Sequence, residues 1–340
     1  DLVTGVQTCA LPICFRKDRL LIFTDQGRVY GLKAWETPLG SRQSRGTHIR
    51  NLLESLREDE NIVSILPLSR DLLDEPDNHY LMFATKLGLI KKTALSEYVR
   101  INRNGKYALR FKIQGDSLVN VRSATDEHNI VMISTTGYAC RFSCSDIRAS
   151  GRVSGGVYGI KVADRKGSGG GIVAGMVAML SPEEHILTIS KYGMAKRSIL
   201  GTGDRIPDLD AEGNVKKDEN GETKLTTDGY RITRPGAKGV RTMKLDEEHH
   251  DTIISVRTIP DLNDHLFLLT KSGMMIRIRV DQTKETSGKS TRGTRVMELR
   301  DKDKGGFTDE IIFSSRVSAS LMDVDDEEDD GEPPSSSEEE

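Results

Sequence analysis

The sequence predicts an all-β array of repeated, roughly four-stranded units, and three recurring signatures carry that prediction. The first is an apolar strand that opens into Thr or Ser, turns at a glycine and leaves with a basic residue. It occurs as RLLIFTDQGRVY (Gly27), YLMFATKLGLIKK (Gly88), IVMISTTGYACR (Gly137), HILTISKYGMAKR (Gly193) and HLFLLTKSGMMIRI (Gly273). Period-two alternation around a short glycine-containing loop reads as a β-hairpin. The second is another glycine 17–20 residues on, in RGTHIRNL (Gly46), NGKYALRF (Gly105), GGVYGIKV (Gly156) and RGTRVMEL (Gly293), with KGVRTMKL (Gly239) completing the set after a hydrophilic insertion. The third is an acidic residue followed by alternating apolar positions: ENIVSIL, DSLVNV, DTIISV and DEIIFS. Units of this kind cannot bury their apolar faces alone and stack into blades or a solenoid.

Taken in order, residues 1–15 match nothing in the repeats. Their TGVQTCALPI run resembles the translated read-through of a sequencing adapter, so a foreign leader is expected there. A signal peptide fits poorly, because no basic segment precedes the apolar residues and those are interrupted. The repeats then run over about 16–68, 79–122, 128–180, 184–259 and 262–317, within a repeat domain expected at 16–322. The third holds KGSGGG, which lacks the spacing and following helix of a phosphate-binding loop. The fourth carries an insertion, 204–229, with eight acidic and four basic residues. It lacks regular calcium-loop spacing and is expected to be an exposed hairpin or loop. His249 and His250 read as a polar strand end.

The tail 323–340, DVDDEEDDGEPPSSSEEE, has 11 acidic and no basic residues and too little apolar content for a core, so disorder is expected. Without it the chain holds 49 basic and 41 acidic residues, about +8, although the whole chain is at −3. A basic body with an acidic tail suggests a polyanion partner and a tethered competitor for it. No apolar run approaches the roughly 20 residues a helix needs to cross a bilayer. The four cysteines include no pair at zinc spacing. Free thiols and no metal site are expected.

No catalytic constellation emerges; what recurs is cationic. After the turn glycines come Arg28, Lys33, Lys91, Lys92, Arg141, Lys196, Arg197, Arg277 and Arg279. Around the second glycines come Arg42, Arg45, Arg103, Lys106, Arg152, Lys238, Arg241, Arg292 and Arg295. Equivalent positions in equivalent repeats lie at equivalent radius, so these residues are expected to form a belt suited to a rigid, bent polyanion such as duplex DNA. Few aromatics interleave with them, which argues against single-strand stacking. On this reading, reversing Lys91 and Lys92 weakens binding without unfolding the chain.

The runs DRLLIFTDQGRVYGLKAWETP, SRGTHIRNLL, ENIVSILPL and MFATKLGLIKKTALSEY, with the acidic tail, resemble the C-terminal domains of the DNA gyrase A subunits. The resemblance spans roughly 16–322. It implies a β-pinwheel, a propeller-like disc of six four-stranded blades whose basic rim wraps DNA within a cytoplasmic A2B2 holoenzyme. The partners it implies are duplex DNA, the gyrase B subunit and the N-terminal cleavage core of the A subunit. ATP and magnesium would act elsewhere in that assembly, which supercoils DNA negatively, and no catalytic residue is expected here. Two features depart from the family. Five repeats are present, and the basic box Gln-Arg-Arg-Gly-Gly-Lys-Gly of the first blade is missing; truncation before Arg16 is expected to account for both. The related subunit of topoisomerase IV is the nearest alternative. A propeller-type protein-interaction module is another and would expose aromatic or apolar clusters; an enzyme with a funnel site would need convergent acids or histidines.

Overall fold

A computed structural model describes residues 18–38, 47–53, 55–162, 171–210, 212–286, 291–300 and 306–319. The leader, the acidic tail, Arg42 and Arg45 lie outside the described residues. Five sheets follow one another along the chain, each built on one of the five hairpins. The expected all-β blades are therefore present.

The local chemistry of the hairpins explains their recurring letters. The five turn glycines and the second glycines from Gly105 onward have φ between +69° and +93°, a region an L side chain enters only at a cost. The Thr or Ser that opens each loop is buried, and its hydroxyl accepts the amide four residues on. Leu89 N donates to Thr85 Oγ1 at 3.1 Å, Tyr138 N to Ser134 Oγ at 3.1 Å and Met274 N to Thr270 Oγ1 at 3.1 Å. The acidic residue before the third strand holds the same loop from the other side. Asp116 accepts from Leu87 N (2.9 Å), Asp251 from Tyr192 N (3.3 Å) and Asp309 from Ser272 N (3.3 Å). Two signatures far apart in sequence thus meet at one turn.

Blades 1 to 4 are four-stranded, but none is built from one repeat. In blade 1, strands Arg19–Thr24, Arg28–Lys33 and Ile62–Leu68 come from the first repeat, and the outer strand Lys106–Tyr107 comes from the second. Blades 2, 3 and 4 likewise take Val157–Tyr158, Val240–Arg241 and Thr294–Arg295 from the following repeat. The second-glycine segments of repeats 2 to 5 therefore each cross to the preceding blade. Third strands adjoin one another in chain order, Ile62–Leu68 beside Leu118–Ala124, then Val173–Met179, Ile253–Ile259 and Ile311–Val317. They line one side of the array, and the borrowed strands form the opposite rim.

The core lies between blades. Leu21, Phe23 and Val29 of blade 1 pack on Leu81, Phe83 and Tyr98 of blade 2, and similar layers separate blades 2 from 3, 3 from 4 and 4 from 5. On the outer face of blade 1, Ile22, Tyr30 and Leu32 are covered by Leu53 and Leu56, which follow the short helix Ile49–Leu52. Blade 5 has three strands, and among the described residues no segment pairs with its edge strand Met275–Arg279. Met275 is 68% exposed, although its counterpart Ala195 in blade 4 is buried. Residues 204–229 form an exposed hairpin, Arg205–Pro207 against Leu225–Thr227, extended by bridges Leu209–Val215 and Lys217–Thr223. Cys140 and Cys144 are free, buried thiols, and burial pushes both up.

Candidate nucleic-acid interface

Position along the second hairpin strand decides where each basic residue goes. The third and fourth residues after a turn glycine lie inside a sheet, beneath the segment that arrives from the next repeat. Lys91 is 1% exposed; its ammonium donates to Ala108 O at 2.5 Å and also to Arg152 O, stapling two successive second-glycine segments. Lys196, its equivalent in blade 4, donates to Thr242 O at 2.5 Å. At the next position Lys92 binds Asp126 and, at 3.2 Å, Cys144 O. Arg141 donates to Leu200, Gly201 and Tyr230 carbonyls at 2.8–3.0 Å, and Arg197 to Thr283 O at 3.1 Å. Burial, reinforced by the charge of Arg152, pushes Lys91 down to about 7, and burial alone pushes Lys196 down to about 8.

The belt expected from the sequence therefore needs correction at five places. Lys91, Lys92, Arg141, Lys196 and Arg197 are interior. Their long cationic side chains satisfy main-chain carbonyls at the seams between segments, some of them, such as Leu200 O and Cys144 O, shared with a backbone amide. Arg277 occupies the same position in blade 5 but is exposed, since no described segment covers it.

The other predicted cations are nearer the surface. Lys33, Arg103, Lys106, Lys238, Arg279, Arg292 and Arg295 are exposed, and Arg28, Arg152 and Arg241 are half-buried. Arg28 pairs with Glu60 at 3.1 Å and Arg279 with Asp281 at 2.6 Å. On the rim, Arg103 faces Glu36 at 2.9 Å, Arg152 Glu97 at 3.6 Å, Arg241 Glu247 at 3.7 Å and Arg295 Glu298 at 2.5 Å.

A further group, absent from the sequence reading, completes the rim: Arg110, Lys112, Arg148, Lys161, Arg231, Arg234 and Lys244 are all exposed. Their signal was proximity to a second glycine rather than any fixed offset from it. With Lys106, all of these except Lys112, whose ammonium is hydrogen-bonded to a carbonyl, make no ion pair or hydrogen bond through their side chains among the described residues.

These cations sit on one connected path. Lys112 Nζ donates to Gly156 O at 2.5 Å, joining the second-glycine segments of repeats 2 and 3. Lys161 N donates to Ala237 O at 3.0 Å and Gly236 N to Gly159 O at 2.9 Å, joining repeats 3 and 4. Lys244 N donates to Thr291 O at 3.0 Å, joining repeats 4 and 5. The rim is thus a hydrogen-bonded ribbon running past four blades. Among the described residues one group could hold a metal ion, Asp246, Glu248 and His249. The turn that closes with His249 N donating to Asp246 Oδ1 at 3.3 Å brings these three side chains together and accounts for that geometry.

The repeat pattern matches the family described as DNA gyrase C-terminal domain, beta-propeller, over residues 18–69, 79–124, 128–168, 224–260 and 264–304. The chain belongs to this family. Similar curated proteins include the DNA gyrase A subunit of Deinococcus deserti, 34% identical over 287 residues covering 84% of this chain and 31% of that protein. The DNA gyrase A subunit of Staphylococcus epidermidis is 34% identical over 285 residues, 84% of this chain and 27% of that one. The chain spans less than a third of the length of these relatives. Among solved structures, the C-terminal domain of DNA topoisomerase IV has a TM-score of 0.69 at 20% identity, covering 92% of this chain and 85% of that one. The DNA gyrase A C-terminal domain gives 0.63 at 18%, covering 93% and 92%. At those identities the likeness is one of fold.

Proposed function

We propose that this gyrase C-terminal domain binds duplex DNA along its ribbon of second-glycine segments, without sequence preference, and bends it around the blades. The continuity of that ribbon carries the reading. A curved row of exposed cations matches a curved row of phosphates, whereas scattered cations match neither a line nor a bend. Sequence tolerance follows from the same construction. Base readout needs an element that enters a groove, and the rim consists of two-residue strands and loops.

The setting we infer from the gyrase relatives is a cytoplasmic assembly with the gyrase B subunit and the cleavage core of the A subunit, contributing to ATP-dependent negative supercoiling. In that assembly the domain supplies a path for DNA and needs no cofactor of its own. ATP and magnesium act at sites elsewhere.

At least seven rim cations make no ion pair among the described residues, which sets the scale of the electrostatic contribution. With 6–10 phosphate contacts, affinity falls by about 10³–10⁵ between about 50 and 200 mM salt. Fluorescence anisotropy with a duplex of arbitrary sequence reads this directly, and a flat salt dependence refutes the reading.

A further inference from the structure

The chain has eight tyrosines. Six have a partner for the ring or the hydroxyl: Tyr30 with Glu60, for example, and Tyr192 stacked on Phe307. Tyr107 and Tyr158 have none among the described residues, and they are 56% and 59% exposed.

These two share one address. Each is the second residue of a borrowed rim strand, opposite the residue that follows the turn glycine, Tyr107 across from Arg28 and Tyr158 across from Leu89. In blades 3 and 4 the same register position holds Arg241, across from Tyr138, and Arg295, across from Met194. One place on the ribbon is therefore aromatic in two blades and cationic in the next two.

The two residue types hold a duplex differently. A tyrosine ring laid against a deoxyribose buries apolar surface and releases no counterion, so its contribution changes little with salt. An arginine on a phosphate releases counterions, and its contribution falls as salt rises. Arg241 and Arg295 each also face a glutamate, at 3.7 Å and 2.5 Å. A phosphate arriving there displaces a carboxylate as well.

We propose that Tyr107 and Tyr158 pack on the DNA backbone and give blades 1 and 2 a hold that salt does not screen, while Arg241 and Arg295 give blades 3 and 4 a screened one. This rests on the duplex-binding reading above. Rising ionic strength then lifts DNA from blades 3 and 4 first.

The test uses the whole chain, a duplex of about 40 base pairs and a single-stranded oligonucleotide of the same length, titrated across a salt series. Tyr107→Ala with Tyr158→Ala is expected to weaken duplex binding about ten-fold at every salt concentration, with the slope of log affinity against log salt unchanged. Arg241→Ala with Arg295→Ala is expected to lower that slope by up to about 0.9 per residue. Tyr107→Phe with Tyr158→Phe keeps the ring and is expected to bind like the parent. Duplex binding by the alanine pair within about two-fold of the parent overturns the proposal, as does a loss that shrinks with salt. Equal loss in the phenylalanine pair overturns packing as the cause. Loss confined to the single strand overturns it too, making the tyrosines a stacking platform instead. A parent chain whose duplex binding ignores salt refutes the underlying reading, an outcome separable from all of these. Both side chains are exposed, and unchanged thermal unfolding of the variants checks that the fold is intact.

Discussion

Arg141→Met separates architecture from binding. The guanidinium of Arg141, 4% exposed, donates to Leu200 O at 3.0 Å, Gly201 O at 2.8 Å and Tyr230 O at 2.9 Å, and to Asn129 Oδ1 at 3.0 Å. Leu200 and Gly201 precede the inserted hairpin and Tyr230 follows it, so this one side chain closes the base of the insertion onto blade 3. Methionine is of similar length but offers no donor. It leaves three buried carbonyls without that partner, while removing the cost of burying a charge. Hydrogen bonds to charged groups contribute about 1.5–3 kcal/mol each and do not simply add. With about 1–3 kcal/mol for each carbonyl left unsatisfied, and Leu200 O still held by Tyr230 N at 2.8 Å, a net loss of about 3–5 kcal/mol is the expected scale. At about 2–4 °C per kcal/mol, Tm falls by roughly 6–20 °C. Duplex affinity, measured well below the transition, is expected to stay within about two-fold of the parent. Arg234→Met on the ribbon should do the opposite, changing stability by less than about 0.5 kcal/mol and the salt slope by about 0.9. Circular-dichroism melting and anisotropy on both variants decide it. A normal melt with weakened binding for Arg141→Met would refute the assignment of this residue to the interior.

Charge reversal at Lys91 and Lys92, which a uniform belt would tolerate, is now expected to unfold the chain, because two carboxylates would face buried carbonyls; a native melt would contradict this. The same burial makes stability pH-dependent. Lys91 sits at about 7 against an ordinary 10.5, so over that interval the unfolded chain holds a proton that the folded chain has released, and stability climbs with pH. Lys91→Met should lack this part of the climb, and a constant difference in Tm between parent and variant from about pH 7 to 10 would contradict it. Gly239 has φ +79°, and a Cβ there would stand 2.1 Å from Ala139 O. Gly239→Ala is therefore expected to detach Val240–Arg241 from blade 3, read as lost hydrogen-exchange protection at the Val240–Ala139 pairing.

The hairpins were legible in the sequence because alternation over six residues and a glycine at a left-handed position are local requirements. The crossing of each second-glycine strand to the preceding blade was not. A two-residue strand such as Lys106–Tyr107 carries no alternation, and nothing local says whose edge it joins. The cations were legible as a class but not by role, because a lysine that satisfies carbonyls and one that meets a phosphate are the same letter. Lys91 and Lys92 did carry a clue. They lie within LIKKTA, flanked on both sides by strand residues that are themselves mostly buried, whereas Arg110, Lys112, Arg231 and Arg234 sit in loops. The exposed tyrosines had no sequence signal apart from their register, which depends on the crossing.

The most direct measurement of ribbon binding is a topology shift. Nicked circles are religated with the chain bound, and the linking-number distribution is resolved on a gel. The parent is expected to shift it, and Lys216→Glu with Lys217→Glu, in the exposed insertion, should shift it equally. Glutamate at Arg110, Arg148, Arg231 and Arg234 together, all exposed and without side-chain partners among the described residues, should return it to that of free DNA while leaving the melt unchanged. A shift that survives those four substitutions, or that fails with the insertion variant instead, contradicts DNA bending along the ribbon.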